Sequence, residues 1–412
     1  MTFPSHNLRL TKAHPVPNTT GRACISITTL GFPPLSDYTT GTVNDFKTLG
    51  IPADLIQGLE ELGIHKPTPV QTQSIPYLME RGHDFVAQAQ TGTGKTAAFG
   101  LPLLTKIDPN NKKVQAIILA PTRELAKQIG KALFKFTKYC EKRIFLEVVA
   151  GGDKIDLQVT RLQRPTHILI ATPGRLYDLM ERKAISIDAV QYLVLDEADE
   201  MLSMGFKDQI RNVIEITKFR KATWLFSATF PPALGDLVKF CMSPDPKTVK
   251  IDTRNVVNRN IDHRFAVCVK EDKSDFIDEF LHRQGEKRGL IFTRTRDGAD
   301  MLCKQLTKGG HSVGVLQGDL TQLERDKVMR AFKKERTQFL VATDVAARGI
   351  DVEGLSFVIH HQLPEQIDYY THRSGRTARA GKKGISLVLI DPREKKRLKQ
   401  FSQALSIHFG PA

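Results

Sequence analysis

The chain has 412 residues, 41% of them hydrophobic and 25% charged, which suits two or three globular domains and argues against a disordered or fibrous chain. No apolar run approaches the roughly 18 residues that a spanning helix needs, and five cysteines without a CxxC pair argue against a zinc ribbon or a secreted disulfide framework. Sixty Lys and Arg against 45 Asp and Glu give a net charge of +15, an excess that favours a polyanionic partner such as nucleic acid.

Residues 1–42 show no sustained apolar period, and the first 36 hold no Asp or Glu, three basic residues and many Ser and Thr. Transit peptides, disordered tails and misplaced start sites share that composition, so the segment is read as a tail or a targeting segment. From about residue 44 a helical spacing appears in Phe46, Leu49, Leu55, Ile56, Leu59 and Leu62, and Gly63, Pro67 and Pro69 stop it. Short apolar runs then recur at 85–89, 116–120, 145–149, 167–171, 192–195 and 223–228, with helix-like stretches between them. One such stretch carries Leu125, Ile129, Leu133, Phe136 and Cys140. Strands without in/out alternation are buried on both faces, and strands alternating with helices predict parallel βαβ units. After the polar stretch 252–262 the pattern restarts at 265–269, 290–292, 313–316, 339–342, 357–360 and 385–390. The expectation is two α/β domains, over 43–250 and 261–392, joined by a linker over 251–260. A basic C-terminal tail over 393–412 is expected to end as a solvated helix.

The run at 85–89 leads into AQTGTGKT (89–96) and then a helical stretch. Strand, glycine loop and helix in that order make a P-loop. Gly92 and Gly94 let the loop Gln90, Thr91, Gly92, Thr93, Gly94 turn its N–H groups inward around phosphate oxygens. Lys95 is placed to reach the β/γ-phosphates, Thr96 to put its hydroxyl on Mg²⁺, and the helix N-terminus adds its dipole. Ala89 stands where the general signature has Gly.

A P-loop needs a second acid at a neighbouring strand end to hold Mg²⁺. Asp196 ends the run YLVL, and Glu197 beside it can orient and deprotonate water. Adjacent carboxylates resist joint ionisation unless a cation lies between them, which supports a metal here. Glu200 and Asp208 read as first-turn or surface acids. The stretch TKID at 105–108 mimics a guanine-specificity motif, but it begins ten residues after Lys95 on the same helix, where no base pocket can form.

LVLDEAD after AQTGTGKT, with further motifs in order, resembles the DEAD-box RNA helicase family over about residues 44–392. The stretch DEADEMLSMGF resembles bacterial or organellar members. The resemblance implies two RecA-like domains, each a parallel sheet flanked by helices, using ATP and Mg²⁺. It places Phe46, Thr68, Gln71 and Asp351 around the nucleotide: Phe46 stacking on the base, Gln71 at the adenine edge, Thr68 supporting the loop, Asp351 on the ribose. Without the family, Phe46 would read as core. It assigns RNA contacts to Pro121, Thr122, Arg123, Gly151, Gly152, Thr172, Pro173, Gly174 and Arg175, and in the second domain to Gly318, Asp319 and Thr343. Charged guanidinium groups, hydroxyls and glycine N–H groups suit a phosphate backbone. Asp199, Ser227, Thr229, His372 and Arg373 are assigned to coupling between the domains, with Ser227 or Thr229 bonded to the Asp196–Asp199 cluster. Arg376 and Arg379 become arginine fingers on the γ-phosphate, although Ala378 stands where relatives often have Gly.

The implied function is an RNA-dependent ATPase that unwinds short duplexes or remodels RNA–protein complexes by closure of two domains. Alternatives left open are a DNA helicase or translocase and a nucleotide-gated RNA clamp; a small-molecule kinase would leave the second domain unexplained. RNA contacts are expected to be largely independent of base sequence. The chain is expected to be a cytoplasmic monomer with possible protein partners and no membrane, or organellar if residues 1–36 are a transit peptide.

Overall fold

The computed structural model describes residues 45–80, 83–90, 92–251, 260–347, 355–378 and 382–412. Thr91, Asp351, Arg379, the 1–42 segment and most of the 251–260 linker lie outside these residues.

The apolar runs become strands because branched and aromatic side chains fit a pleated surface packed on both faces. In the first half these are β1 (Phe85–Gln88), β2 (Ala116–Leu119), β3 (Leu146–Val149), β4 (Ile168–Ala171), β5 (Tyr192–Asp196), β6 (Ala222–Ser227) and β7 (Lys247–Lys250). They form a parallel sheet in the order β3-β4-β2-β5-β6-β1-β7. Alternate residues feed two cores. Ile118, Ile170, Val194 and Phe226 pack on one face, and Ile117, Leu169, Leu193 and Leu225 on the other. Each such side chain, fully buried, stabilises the fold by about 1.5–3 kcal/mol before entropy is counted.

The second half repeats the plan with β8 (Ile261–Val267), β9 (Gly289–Thr293), β10 (Val313–Leu316), β11 (Phe339–Thr343), β12 (Phe357–His360), β13 (Gly384–Ile390) and β14 (Gly410–Pro411). Their order is β10-β11-β9-β12-β13-β8-β14, again parallel throughout. Gly289 opens β9 against the Phe357 ring; a Cβ there would lie 2.0 Å from a ring carbon. Both sheets are flanked by helices, and no helix among the described residues is long and apolar enough to cross a membrane.

Three expectations change. The first helix spans only Ala53–Glu60, because Pro52 caps it and residues 46–50 form a turn. β7 has the pattern KTVK with only Val249 buried, so it carried no apolar run. The 393–412 segment is not a tail. Lys395–Leu405 is a helix whose Leu398, Phe401 and Leu405 are buried with Phe409, and β14 pairs with β8.

Candidate active site and nucleic-acid interface

In a parallel sheet the strand ends face one edge, and ligands bind in the crevice there. The order β5-β6-β1 sets the ends of three strands side by side: Asp196 ends β5, Ser227 ends β6, and the glycine loop follows β1. In the loop, Gly94 has φ +95°, a left-handed conformation that glycine adopts without strain. A Cβ on Gly94 would sit 2.5 Å from Gln71 Nε2. Thr93 Oγ1 donates to the Gln90 carbonyl at 2.7 Å and tightens the turn. Lys95 opens the Lys95–Lys106 helix, is 6% exposed, and its ammonium has no hydrogen-bond partner among the described residues. A buried cation without a hydrogen-bond partner is costly, and such a group suits an anionic ligand.

Asp196 is 2% exposed. Burial pushes its carboxyl up to about 7; Lys95 opposes that shift and neighbouring Glu197 adds to it. Glu197 has φ 52° and ψ 51°, a left-handed backbone that costs a non-glycine residue about 1–2 kcal/mol. Its N–H donates to Asp196 Oδ1 at 3.0 Å. The expected bond from the next strand is present. Thr229 donates to Asp199 Oδ2 through both its N–H (2.8 Å) and its hydroxyl (2.7 Å), and the Asp199 N–H donates to Ser227 Oγ at 3.3 Å. Burial alone would raise the Asp199 carboxyl. His372 of the second domain, the Thr229 hydroxyl, Lys95 and Ser227 outweigh it and hold the group below the usual carboxylate range.

Glu200 does stand in a first helical turn, but it is buried, with His372 Nδ1 4.0 Å from its Oε2. It faces the other domain rather than solvent. Glu197, Asp199 and Glu200 share a cavity of about 30 Å³ with His372, Arg373 and Arg376. Arg376 of the second domain therefore lines the same cavity as these acids. Arg373 of that cavity takes Asp344 of its own domain bidentately, at 2.5 and 2.6 Å, over the Phe292 ring.

Two residues expected at the nucleotide are engaged within the first domain. Phe46 is 1% exposed and packs within the first core. Both amide atoms of Gln71 are engaged: Nε2 donates to the Gly94 carbonyl at 3.0 Å, and Oε1 accepts from the Thr68 N–H at 2.9 Å. Gln71 thus ties the start of its own helix to the phosphate loop. The buried Thr68 Oγ1 has no partner among the described residues.

The residues assigned to RNA gather at the ends of β2, β3 and β4. Thr122 caps the Arg123–Phe136 helix, accepting from the Leu125 N–H at 3.2 Å, and Pro173 starts the Pro173–Glu181 helix after Thr172. Asp153 draws two arginines together: Arg123 Nη2 is 2.6 Å from its carboxylate, and Arg175 Nη1 donates to its carbonyl at 3.0 Å. Gly151 and Gly152 lie beside them, Gly152 at φ +86°, and Gly174 sits in the first turn of its helix. Two helix N-termini and two guanidinium groups at one edge suit phosphate. In the second domain Gly318 and Asp319 follow β10, with Asp319 paired to Arg296, and Thr343 ends β11.

Sequence reasoning missed the contact that joins the two groups. Arg325, on the Gln322–Lys333 helix, donates to Glu124 of the first domain at 2.9 Å, and Asp326 lies 3.6 Å from Arg123. The one local signal was the capping box in TQLE, where Glu324 Oε2 accepts from the Thr321 N–H at 2.8 Å. It marks a helix start and says nothing of a partner.

The model of the DEAD/DEAH box helicases matches residues 68–237, and that of the helicase conserved C-terminal domain matches 272–381. A DEAD-box ATP-dependent RNA helicase CshA of Bacillus cereus is 40% identical over 358 residues, which are 87% of this chain and 67% of that protein. Among solved structures, Saccharomyces cerevisiae Dbp5 bound to RNA and ADP BeF3 aligns with a TM-score of 0.81 at 32% identity, covering 90% of this chain and 95% of the other. Mss116p bound to ssRNA and AMP-PNP aligns at 0.80 and 29% identity, covering 90% and 80%.

Proposed function

From the premise that this chain belongs to the DEAD-box family of ATP-dependent RNA helicases, we propose how its residues divide the work of RNA-dependent ATP hydrolysis. One observation carries the proposal: Glu197 of the first domain and Arg376 of the second line a single cavity. Hydrolysis therefore requires the domains to meet.

Lys95 neutralises the β/γ-phosphates, and its unpartnered ammonium fits that anion. Thr96 and Asp196 would hold Mg²⁺, which would supply positive charge to the phosphate oxygens when bound. Glu197 orients the attacking water and accepts its proton. Arg376 stabilises charge on the transferred phosphoryl group, a contribution of about 10³–10⁵ in rate where relatives of this chemistry use it. Asp199, Thr229 and His372 link this site to closure. Gln71 Nε2 keeps a second N–H and Oε1 a second lone pair beside its bonds to Gly94 and Thr68, so it can meet the adenine edge while still tied to the phosphate loop, which links base binding to the loop.

The sugar–phosphate backbone is held by Thr122, Arg123, Thr172 and Arg175 with the glycine N–H groups, and from the second domain by Gly318 and Thr343. Such contacts give little sequence preference and a strong salt dependence. Closure grips one strand and hydrolysis releases it, which separates short duplexes locally.

The test is ATP hydrolysis with and without RNA for the parent, Glu197→Gln and Arg376→Ala. RNA should stimulate the parent, and each variant should lose at least about 10² in turnover. An unstimulated parent, or a Glu197→Gln variant that hydrolyses normally, would refute these roles.

A further inference from the structure

One cluster of metal-ligating side chains lies outside this machinery. Asp278 and His282 are four residues apart on the Lys273–Arg283 helix and share one of its faces. His311 reaches them from the turn after the Arg296–Lys308 helix. His311 Nε2 is 3.0 Å from Asp278 Oδ1; His282 Nδ1 is 3.5 Å from Asp278 Oδ2 but 2.9 Å from the Asp278 backbone carbonyl, to which it donates, so a metal would take Nε2 or replace that bond. The imidazole rings meet edge to face at 4.4 Å. One ligand atom from each residue lies within 4.8 Å of the others.

The surroundings are shaped for this meeting. A Cβ on Gly309 would sit 2.3 Å from Asp278 Oδ1, so glycine there admits the carboxylate. Gly310, at φ +88°, turns the chain so that the His311 N–H returns to the Leu306 carbonyl at 3.1 Å. The His311 ring is nearly buried, edge-on to Phe339, while His282 is 58% exposed. One side of the cluster is thus fixed and the other open. Two helices end here, and the carbonyl ends of both favour positive charge. His311 precedes β10 and Phe339 begins β11, so the cluster lies at the edge of the sheet opposite Gly318 and Thr343.

We propose that Asp278, His282 and His311 bind a divalent transition cation of the zinc class, with solvent completing the coordination. Two imidazoles and a carboxylate suit zinc, nickel or copper, and imidazole disfavours the magnesium used for hydrolysis. The side chains must close by about 1 Å or more to reach metal–ligand distances near 2.0–2.2 Å. The ion ties the end of one helix to the end of the next and so stabilises the second domain.

The experiment titrates Co²⁺ into the full chain, with Zn²⁺ displacement, and repeats it with His282→Ala and Asp278→Asn. His282 is exposed, so its variant tests binding without disturbing the core. The parent should show four-coordinate cobalt bands with no thiolate charge transfer. Affinity should fall at least about ten-fold in each variant. Zn²⁺ should raise the unfolding midpoint of the parent and not of His282→Ala, while RNA-stimulated hydrolysis in Mg²⁺ stays the same in both. Equal binding by parent and His282→Ala, no saturable binding, or a thiolate band that assigns the ion to cysteines would each overturn the proposal.

Discussion

At Asp196 the fold works against the charge its proposed role requires. The carboxyl shifts from an ordinary 3.8 to about 7, chiefly through burial. An unfolded chain ionises it near 4, the ligand-free folded chain only near 7. Its contribution to stability is therefore full below about pH 4 and lost as pH rises through about 7. The slope is at most about 1.4 kcal/mol per pH unit. In unfolding curves taken with chelator and without nucleotide, Asp196→Asn should gain on the parent steadily between pH 4 and 7, then hold level. A gap that stays constant over that range would sink the burial argument. Lys95 and Asp196 were legible because strand, loop and helix fix where they stand. Phe46 and Gln71 were not, since their expected roles presuppose a bound base, while their observed contacts depend on how the Ala53–Glu60 and Pro69–Met79 helices pack.

Elements buried on both faces announced themselves, and elements with mixed faces did not. AIIL of β2 is wholly buried, while KTVK of β7 buries one residue in four. The Lys395–Leu405 helix hides its apolar face among Lys395, Lys396, Arg397 and Lys399, so it read as solvated. Its Phe401 and the following Phe409 both pack on the Tyr370 ring, at 6.1 and 5.5 Å. Tyr370 in turn stacks on His360 at 4.7 Å and bonds His263 Nδ1 at 2.6 Å. It belongs to the Ile367–Ser374 helix, which carries His372 and Arg373. The C-terminal segment thus buttresses the helix that faces the first domain's acids. Phe401→Ala should cost about 3–5 kcal/mol in urea unfolding of the second domain. Truncation after residue 392 should leave that domain open to proteolysis. Unfolding curves that overlay the parent's would mean the segment is a tail after all.

The two domains meet through a charge pair with one member from each. Glu124 sits in the first turn of the Arg123–Phe136 helix, and Arg325 in the first turn of the Gln322–Lys333 helix. Their side chains are 23% and 16% exposed, so solvent screens the pair only partly. The contact exists only when the domains are together, so whatever it contributes becomes coupling between ATP and RNA, and linkage makes that coupling reciprocal. Arg325 also donates to the Ala346 carbonyl at 2.5 Å within its own domain, and that local bond must be separated from the bridge. A cycle of Arg325→Ala, Glu124→Gln and the double variant does so. With a non-hydrolysable ATP analogue, RNA affinity by fluorescence anisotropy should fall about 5–10-fold in each single variant. The double variant should fall little further, because the second change removes a partner already lost. Without nucleotide, all four proteins should bind RNA within about two-fold of one another. Additive losses, or equal losses without nucleotide, would make these residues local RNA or fold contacts. Non-additive losses confined to the nucleotide-bound state would identify the bridge as the place where binding of one ligand is felt by the other.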